Sequence, residues 1–161
     1  MIGETKVTFR TADELLQKLV DKAEEKSLEN LKDFAGRKVL IEGGGYEEIW
    51  LETQPMGGEM YAKRDLEAGL NNNLLFMECQ REDGRIPGSI AMIDGGLTPQ
   101  FNKFQGFCFP APALNMYYLA GRPAGYLEQL YDTLERFDAY LWRVRDSDGD
   151  GCLETWCKYD T

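Results

Sequence analysis

The stretch Leu127-Glu128-Gln129-Leu130-Tyr131-Asp132-Thr133-Leu134-Glu135-Arg136-Phe137-Asp138-Ala139-Tyr140-Leu141-Trp142-Arg143-Val144-Arg145 reads as one helix. Leu127, Leu130, Leu134, Phe137, Leu141 and Val144 recur at alternating intervals of three and four, which places them on one helical face. Glu128 falls in the first turn and Arg143 and Arg145 in the last, matching the helix dipole. Such a stripe is expected to be a core seam. Working outward, a preceding helix is predicted from Pro110 or Pro112 to Gly121. Another is predicted over Arg64–Gln80, with Leu66, Leu70, Leu74 and Met77 on one stripe. Gly69 and the run Asn71-Asn72-Asn73 are poor helix formers, so their presence there points to service at a site. The first helix is predicted over Thr11–Phe34, opened by a Thr11/Glu14 capping box and stopped by Gly36. Between these helices, residues 37–63 read as two short extended stretches, broken at Pro55-Met56-Gly57-Gly58. Residues 81–106 read as one long connection; connections of that length are usually functional or disordered, and the aromatics that follow from Phe101 favour order. The expected fold class is mainly α.

Composition narrows the function. The chain has 161 residues, 18 Lys+Arg, 28 Asp+Glu and no histidine, for a net charge of −10. A length of this order predicts one domain with a real core. Without histidine there is no Ser-His-Asp triad, no Cys-His pair and no histidine-ligated metal. Proton transfer would fall to Asp, Glu, Tyr, Lys or Cys. The acidic balance argues against nucleic-acid phosphates and anionic membranes as partners. No apolar run approaches the ~20 residues of a membrane span, and Met1–Lys6 lacks the apolar core of a signal peptide. Cys79, Cys108, Cys152 and Cys157 fit neither a redox pair nor a zinc knuckle, and free thiols predict a cytoplasmic location.

Four segments carry candidate chemistry. Asp146-Ser147-Asp148-Gly149-Asp150-Gly151 copies the start of a calcium loop, but Cys157 stands where the bidentate Glu belongs. The alternatives are a cation loop on Asp146, Asp148 and Asp150, or an Asp/Gly turn bonding its own backbone. Trp50 to Asp65 gathers aromatics, carboxylates, an amide and an arginine around Gly57-Gly58. Flat aromatic faces cover the C–H face of a sugar, and Arg with Asp, Glu and Gln bonds its hydroxyls. An ordinary polar loop has the same composition. Gln105 to Leu114 sets an amide and aromatics before a helix, and on chemistry alone a buried helix entry is the favoured reading of it. Trp156, Tyr159 and Asp160 repeat the aromatic-plus-carboxylate theme in the tail.

Taken in order, these segments resemble the inverting glycosidases of the trehalase-like and glucosidase I-like group (clan G), which have an (α/α)6 toroid. Arg145-Asp146-Ser147-Asp148-Gly149-Asp150-Gly151 is similar to that family's Arg-Asp-x-Asp-Gly-Asp-Gly segment. Gln105 to Leu114 is similar to its Ser-Gln-Pro-Pro-x-Leu-Ala helix entry, with Gly106 in place of the first Pro. Gly57-Gly58 through Asp65 resembles its Gly-Gly…Tyr-Trp-Asp segment, with Lys63-Arg64 before Asp65. The resemblance covers about residues 37–161.

The resemblance implies a partial toroid of about four helices with long loops and short extended segments. A full toroid of twelve helices at ~12 residues, with connections of ~5, needs ~200 residues. The chain, residues 1–161 as one segment, is thus expected to be an incomplete piece of a larger glycoside hydrolase domain. The resemblance places the general acid just beyond Thr161, so no residue of the chain takes a catalytic role. It implies one wall of the −1 sugar subsite, built from Tyr61, Arg64, Asp65, Gln105, Phe107, Trp156 and Asp160. Two carboxyl groups roughly 6.5–9.5 Å apart perform such hydrolysis without metal or cofactor. The reading of the acidic loop shifts toward an architectural turn. The alternative is a non-catalytic helical module binding a sugar or a protein. If the piece folds alone, self-association is expected, because a four-helix arc leaves apolar faces uncovered.

Overall fold

The computed structural model describes residues 7–103 and 108–154. Its elements in chain order are α1 (Glu14–Glu29), β1 (Leu31–Phe34), β2 (Arg37–Leu40), β3 (Ile49–Trp50) and α2 (Gln54–Tyr61). Then follow α3 (Leu66–Glu78), β4 (Ser89–Ile93), β5 (Gly96–Gln100), α4 (Pro110–Leu119) and α5 (Ala124–Arg145).

The expected mainly α, partial (α/α)6 toroid is overturned. Among the described residues, five helices stand beside two small antiparallel sheets, an α+β architecture. Two turns account for the difference. Ala35 and Gly36 both have positive φ (54° and 82°) and fold β1 onto β2, pairing Phe34 with Arg37. Asp94 and Gly95 do the same (51° and 78°), pairing Ile93 with Gly96. Positive φ at both central residues matches the right-handed twist of a hairpin, and Asp-Gly favours it. Gly36 therefore turns a hairpin rather than ending a helix. The long connection expected over 81–106 contains the β4–β5 hairpin, with β3 paired to its other edge through Ile49 and Ile90.

α1 is shorter than predicted. Asp13 caps it, accepting from the amides of Leu15 and Leu16 at 2.9 and 3.0 Å, while Thr11 Oγ1 accepts from Asp13 N–H. α2 forms where no helix was expected. Pro55 lies in its first turn, where a missing N–H costs nothing. Its glycines let it approach α3: a Cβ on Gly69 would meet Gly58 O at 2.6 Å, and one on Gly58 would meet Asn72 Cβ at 2.9 Å.

One core joins both sheets to the helices through Phe34, Val39, Ile49, Phe76, Ile90 and Phe109. α5 contributes Leu130, Phe137, Tyr140 and Leu141, but its predicted stripe is exposed at both ends, Leu127 and Val144. α1 departs furthest from expectation, since it buries no residue, and Leu15 stays 79% exposed. Among the described residues no helix is long and apolar enough to cross a membrane.

A loop between α3 and β4 is clamped by charge. Arg136 Nη2 donates to Arg81 O at 2.8 Å and Arg143 Nη2 to Asp83 O at 2.7 Å. Arg81 pairs with Asp83, and this hydrogen-bonded guanidinium holds the Asp83 carboxyl down at about 2. A folded-state value below the unfolded ~3.9 means the pair stabilises fully above about pH 5 and is lost as pH falls toward 2. Both side chains are more than a third exposed, so the contribution is at most about 1 kcal/mol. Asp83→Asn is expected to lower the urea midpoint at pH 7 and to show a smaller deficit at pH 2, where the parent's Asp83 is itself partly protonated. An equal deficit at both values would show that the charge is irrelevant.

Candidate functional site

The polar face of α1 carries Gln17, Asp21, Glu24 and Ser27, spaced at three and four. Helical spacing of this kind aligns side chains in one row. Two cavities run along that row. The smaller, about 300 Å³, lies between α1 and α2, with Glu24 and Ser27 on one side and Met60, Tyr61 and Arg64 on the other. Leu40 and Gly57 complete its wall. The larger, about 560 Å³, lies between α1 and the extended arm at 7–11 and is lined by Phe9, Arg10, Asp21 and Glu24 among others.

Arg64 and Glu24 hold the smaller cavity together across forty positions of sequence. Arg64 Nε donates to both Glu24 oxygens at 2.8 Å, and Arg64 Nη2 donates to Glu24 Oε1. The bond from Arg64 lowers the Glu24 carboxyl below its usual range, and the carboxylate raises Arg64 in return. Burial is the main cause that raises the Tyr61 phenol, with the charges of Asp65 and Glu24 adding to it. At neutral pH the cavity therefore presents a neutral phenol, a carboxylate and a guanidinium. These donors and acceptors suit hydroxyl groups, while Met60 and Leu40 offer an apolar surface beside them. Glu24, held ionised, has no proton to give a leaving oxygen at neutral pH.

The predicted site residues divide. Tyr61 and Arg64 are brought together in this cavity. Asp65 caps α3, accepting from Ala68 N–H at 3.0 Å, and pairs with Lys38 Nζ at 2.6 Å. Gln105, Phe107, Trp156 and Asp160 lie outside the described residues. The other half of the aromatic segment, Trp50 to Gln54, sits at the far end of α2, which is ~12 Å long. There Lys103 Nζ lies 3.8 Å from the Trp50 ring centroid and pairs with Glu48. Gln54 Oε1 accepts from Trp50 N–H and Thr53 Oγ1, which fixes the entry to α2. The candidate site residue that sequence reasoning missed is Glu24. Its one signal is its place on the polar row of α1.

Gly69 and the three asparagines serve packing. Asn72 is fully buried, accepts from Leu40 N–H at 2.8 Å and donates to Leu40 O and Gln54 O at 2.7 and 3.1 Å. Asn71 donates to Lys38 O, and Asn73 to Gly69 O. The helix is thereby stitched to the β1–β2 hairpin.

The acidic loop after α5 gathers the carboxylates of Asp146, Asp148 and Glu154 within 4.8 Å of one another. Glu154 takes the ninth position of the calcium-loop pattern, and Asp150 stands outside the group. Asp146, Asp148 and Asp150 each accept a bond from a backbone N–H of the loop, on Gly151, Asp150 and Cys152 respectively. Ser147 donates to Glu154 from both its N–H and its hydroxyl. Those bonds are what an Asp/Gly turn requires by itself. Cys79, Cys108 and Cys152 are free thiols, and burial raises Cys79 above the usual thiol range.

Comparison with protein-family models, with curated proteins and with solved structures finds no match to this chain.

Proposed function

We propose that the chain supplies a sugar-binding wall of a glycoside hydrolase, one that inverts at an α-glycosidic bond as trehalase-like enzymes do. The observation that carries this reading is the α1–α2 cavity, where Tyr61 and Arg64 from the Gly-Gly…Asp segment meet Glu24. The order of the three motif segments along the chain supports it as well. In this role Arg64 and Glu24 lock each other in place and turn their remaining lone pairs and N–H groups to the sugar hydroxyls. The Tyr61 phenol donates or accepts as the hydroxyl demands. Met60 covers the C–H face of the ring. Acid and base catalysis belong to two carboxyl groups other than Glu24, which Arg64 keeps charged. The chain needs no metal or cofactor for this part.

Calorimetric titration of the 161-residue chain with glucose tests the reading. Binding in the millimolar range is expected, and Tyr61→Phe is expected to weaken it about fivefold, the worth of one hydrogen bond. Glucose binding unaffected by Tyr61→Phe would sink the proposal.

A second reading, a non-catalytic module that docks a protein or a second copy of itself, is favoured by the exposed row Leu15, Leu16 and Leu19 on α1. It expects no response to glucose in the same titration.

A further inference from the structure

Trp50 and Ser89 each have one side-chain polar atom, and in both it is buried without a hydrogen-bond partner: the indole Nε1 and the hydroxyl Oγ. The sheet makes the two residues neighbours. Trp50 on β3 pairs with Ser89 on β4, and Ser89 pairs with Gln100 on β5. Side chains directly opposite one another point to the same face, with Cβ atoms about 4.5–5.5 Å apart. Trp50, Ser89 and Gln100 therefore form one row across all three strands. Ile49 and Ile90, the neighbouring pair in the register, turn to the other face and into the core.

Charged groups gather at this row. Lys103 Nζ sits 3.8 Å from the Trp50 ring centroid and 3.4 Å from Glu48 Oε2. Gln100 Nε2 donates to Glu48 Oε1 at 3.1 Å. The cluster reaches the surface at Lys103 and Glu48, whose side chains are 15% and 25% exposed, whereas Ser89 is fully buried. An unpaired buried donor costs the full desolvation of its group, so each one calls for an explanation. Alanine at 89 or phenylalanine at 50 would remove that cost with little loss of packing.

What the row leaves unspent is donor capacity. The indole N–H can only donate, the Ser89 hydroxyl has a proton to give, and the Lys103 ammonium keeps donors beyond the one it turns to Glu48. Glu48 is already met by Gln100 and Lys103. Donors of this kind fit acceptor oxygens that carry negative charge.

We infer that this row is a second ligand site, which takes a small carboxylate on the Trp50 indole N–H, the Ser89 hydroxyl and the Lys103 ammonium. It shares no residue with the α1–α2 cavity and does not rest on the sugar-binding reading.

The Trp50 indole N–H gives one signal in a proton–nitrogen correlation spectrum, assigned by its loss in Trp50→Phe. Titration of the full chain with acetate, acetamide and glucose tests the site. Acetate is expected to move that signal downfield and to saturate at millimolar concentration. Acetamide has the same shape without the charge and is expected to bind about tenfold more weakly, while glucose leaves the signal in place. Ser89→Ala is expected to weaken acetate about tenfold and yet to raise the melting temperature of the free chain, since it deletes an unpaired buried hydroxyl. Lys103→Met is expected to erase the preference for acetate over acetamide. A Trp50 signal that ignores acetate, or drifts without saturating, overturns the inference and leaves the sugar-binding reading untouched. So does a signal moved by glucose and not by acetate. Acetamide that binds as tightly as acetate overturns the carboxylate class. A Ser89→Ala chain that melts below the parent and binds acetate as the parent does overturns the role of the hydroxyl and with it the site.

Discussion

Gly84→Ala is expected to destabilise the fold by about 3–5 kcal/mol, a large share of the 5–15 kcal/mol typical of a domain. Two independent costs combine. Gly84 has a φ of +96°, which an L side chain rarely adopts. A Cβ there would also lie 2.1 Å from Arg136 O, in the middle of α5. The loop cannot retreat from the clash, because Arg136 and Arg143 grip the carbonyls of Arg81 and Asp83 just before it, and Gln80 Nε2 donates to Gly84 O itself at 2.7 Å. Urea unfolding followed by circular dichroism would measure the loss. A variant within about 0.5 kcal/mol of the parent would mean the loop has room the packing denies it.

Asn72→Ala should cost about 3 kcal/mol, although alanine is the better helix former. The substitution strips partners from three backbone groups at once: Leu40 N–H, Leu40 O and Gln54 O. No water reaches the asparagine side chain to take over those bonds, since the residue is fully buried. Asn71→Ala provides the internal comparison. It removes one bond, to Lys38 O, and should cost about 1 kcal/mol. The two differ in which groups they orphan rather than in helix propensity, so equal denaturant midpoints for the pair would contradict the account. Amide exchange at Leu40 gives a local readout, with faster exchange expected in the Asn72 variant alone.

These asparagines also explain where sequence reasoning stopped. α4 was legible from Pro110, and α5 from its leucine spacing, because both patterns are local. α3 was legible in extent but not in purpose. Gly69 and Asn72 weaken the helix on its own and become intelligible once α2 and β2 lie against it. α2 was hidden by the same residues that shape it, since Pro55 and Gly58 punctuate a lone chain yet fit a helix start and a tight helix crossing. The β4–β5 hairpin did carry a local signal in Asp94-Gly95 between apolar runs. Taken as part of one long connection over 81–106, that pair hides the sheet and with it the fold class. At the site, Tyr61 and Arg64 stood out by residue type within a short segment. Glu24 could not, because its role depends on a partner forty positions away and on how α1 folds back.

The bare underside of α1 bears on motion. A helix that buries no side chain shares little of the core's cooperativity, and such elements open at a free energy well below that of global unfolding. Just beyond α2, Arg64 pairs with Glu24 and holds α1 near the body, and a latch of charges about a third exposed loosens as ionic strength rises. The α1–α2 cavity therefore has one rigid bank and one that breathes. A guest bridging both banks would act as a strut: it would slow the opening of α1 while leaving the unfolding of the core where it was.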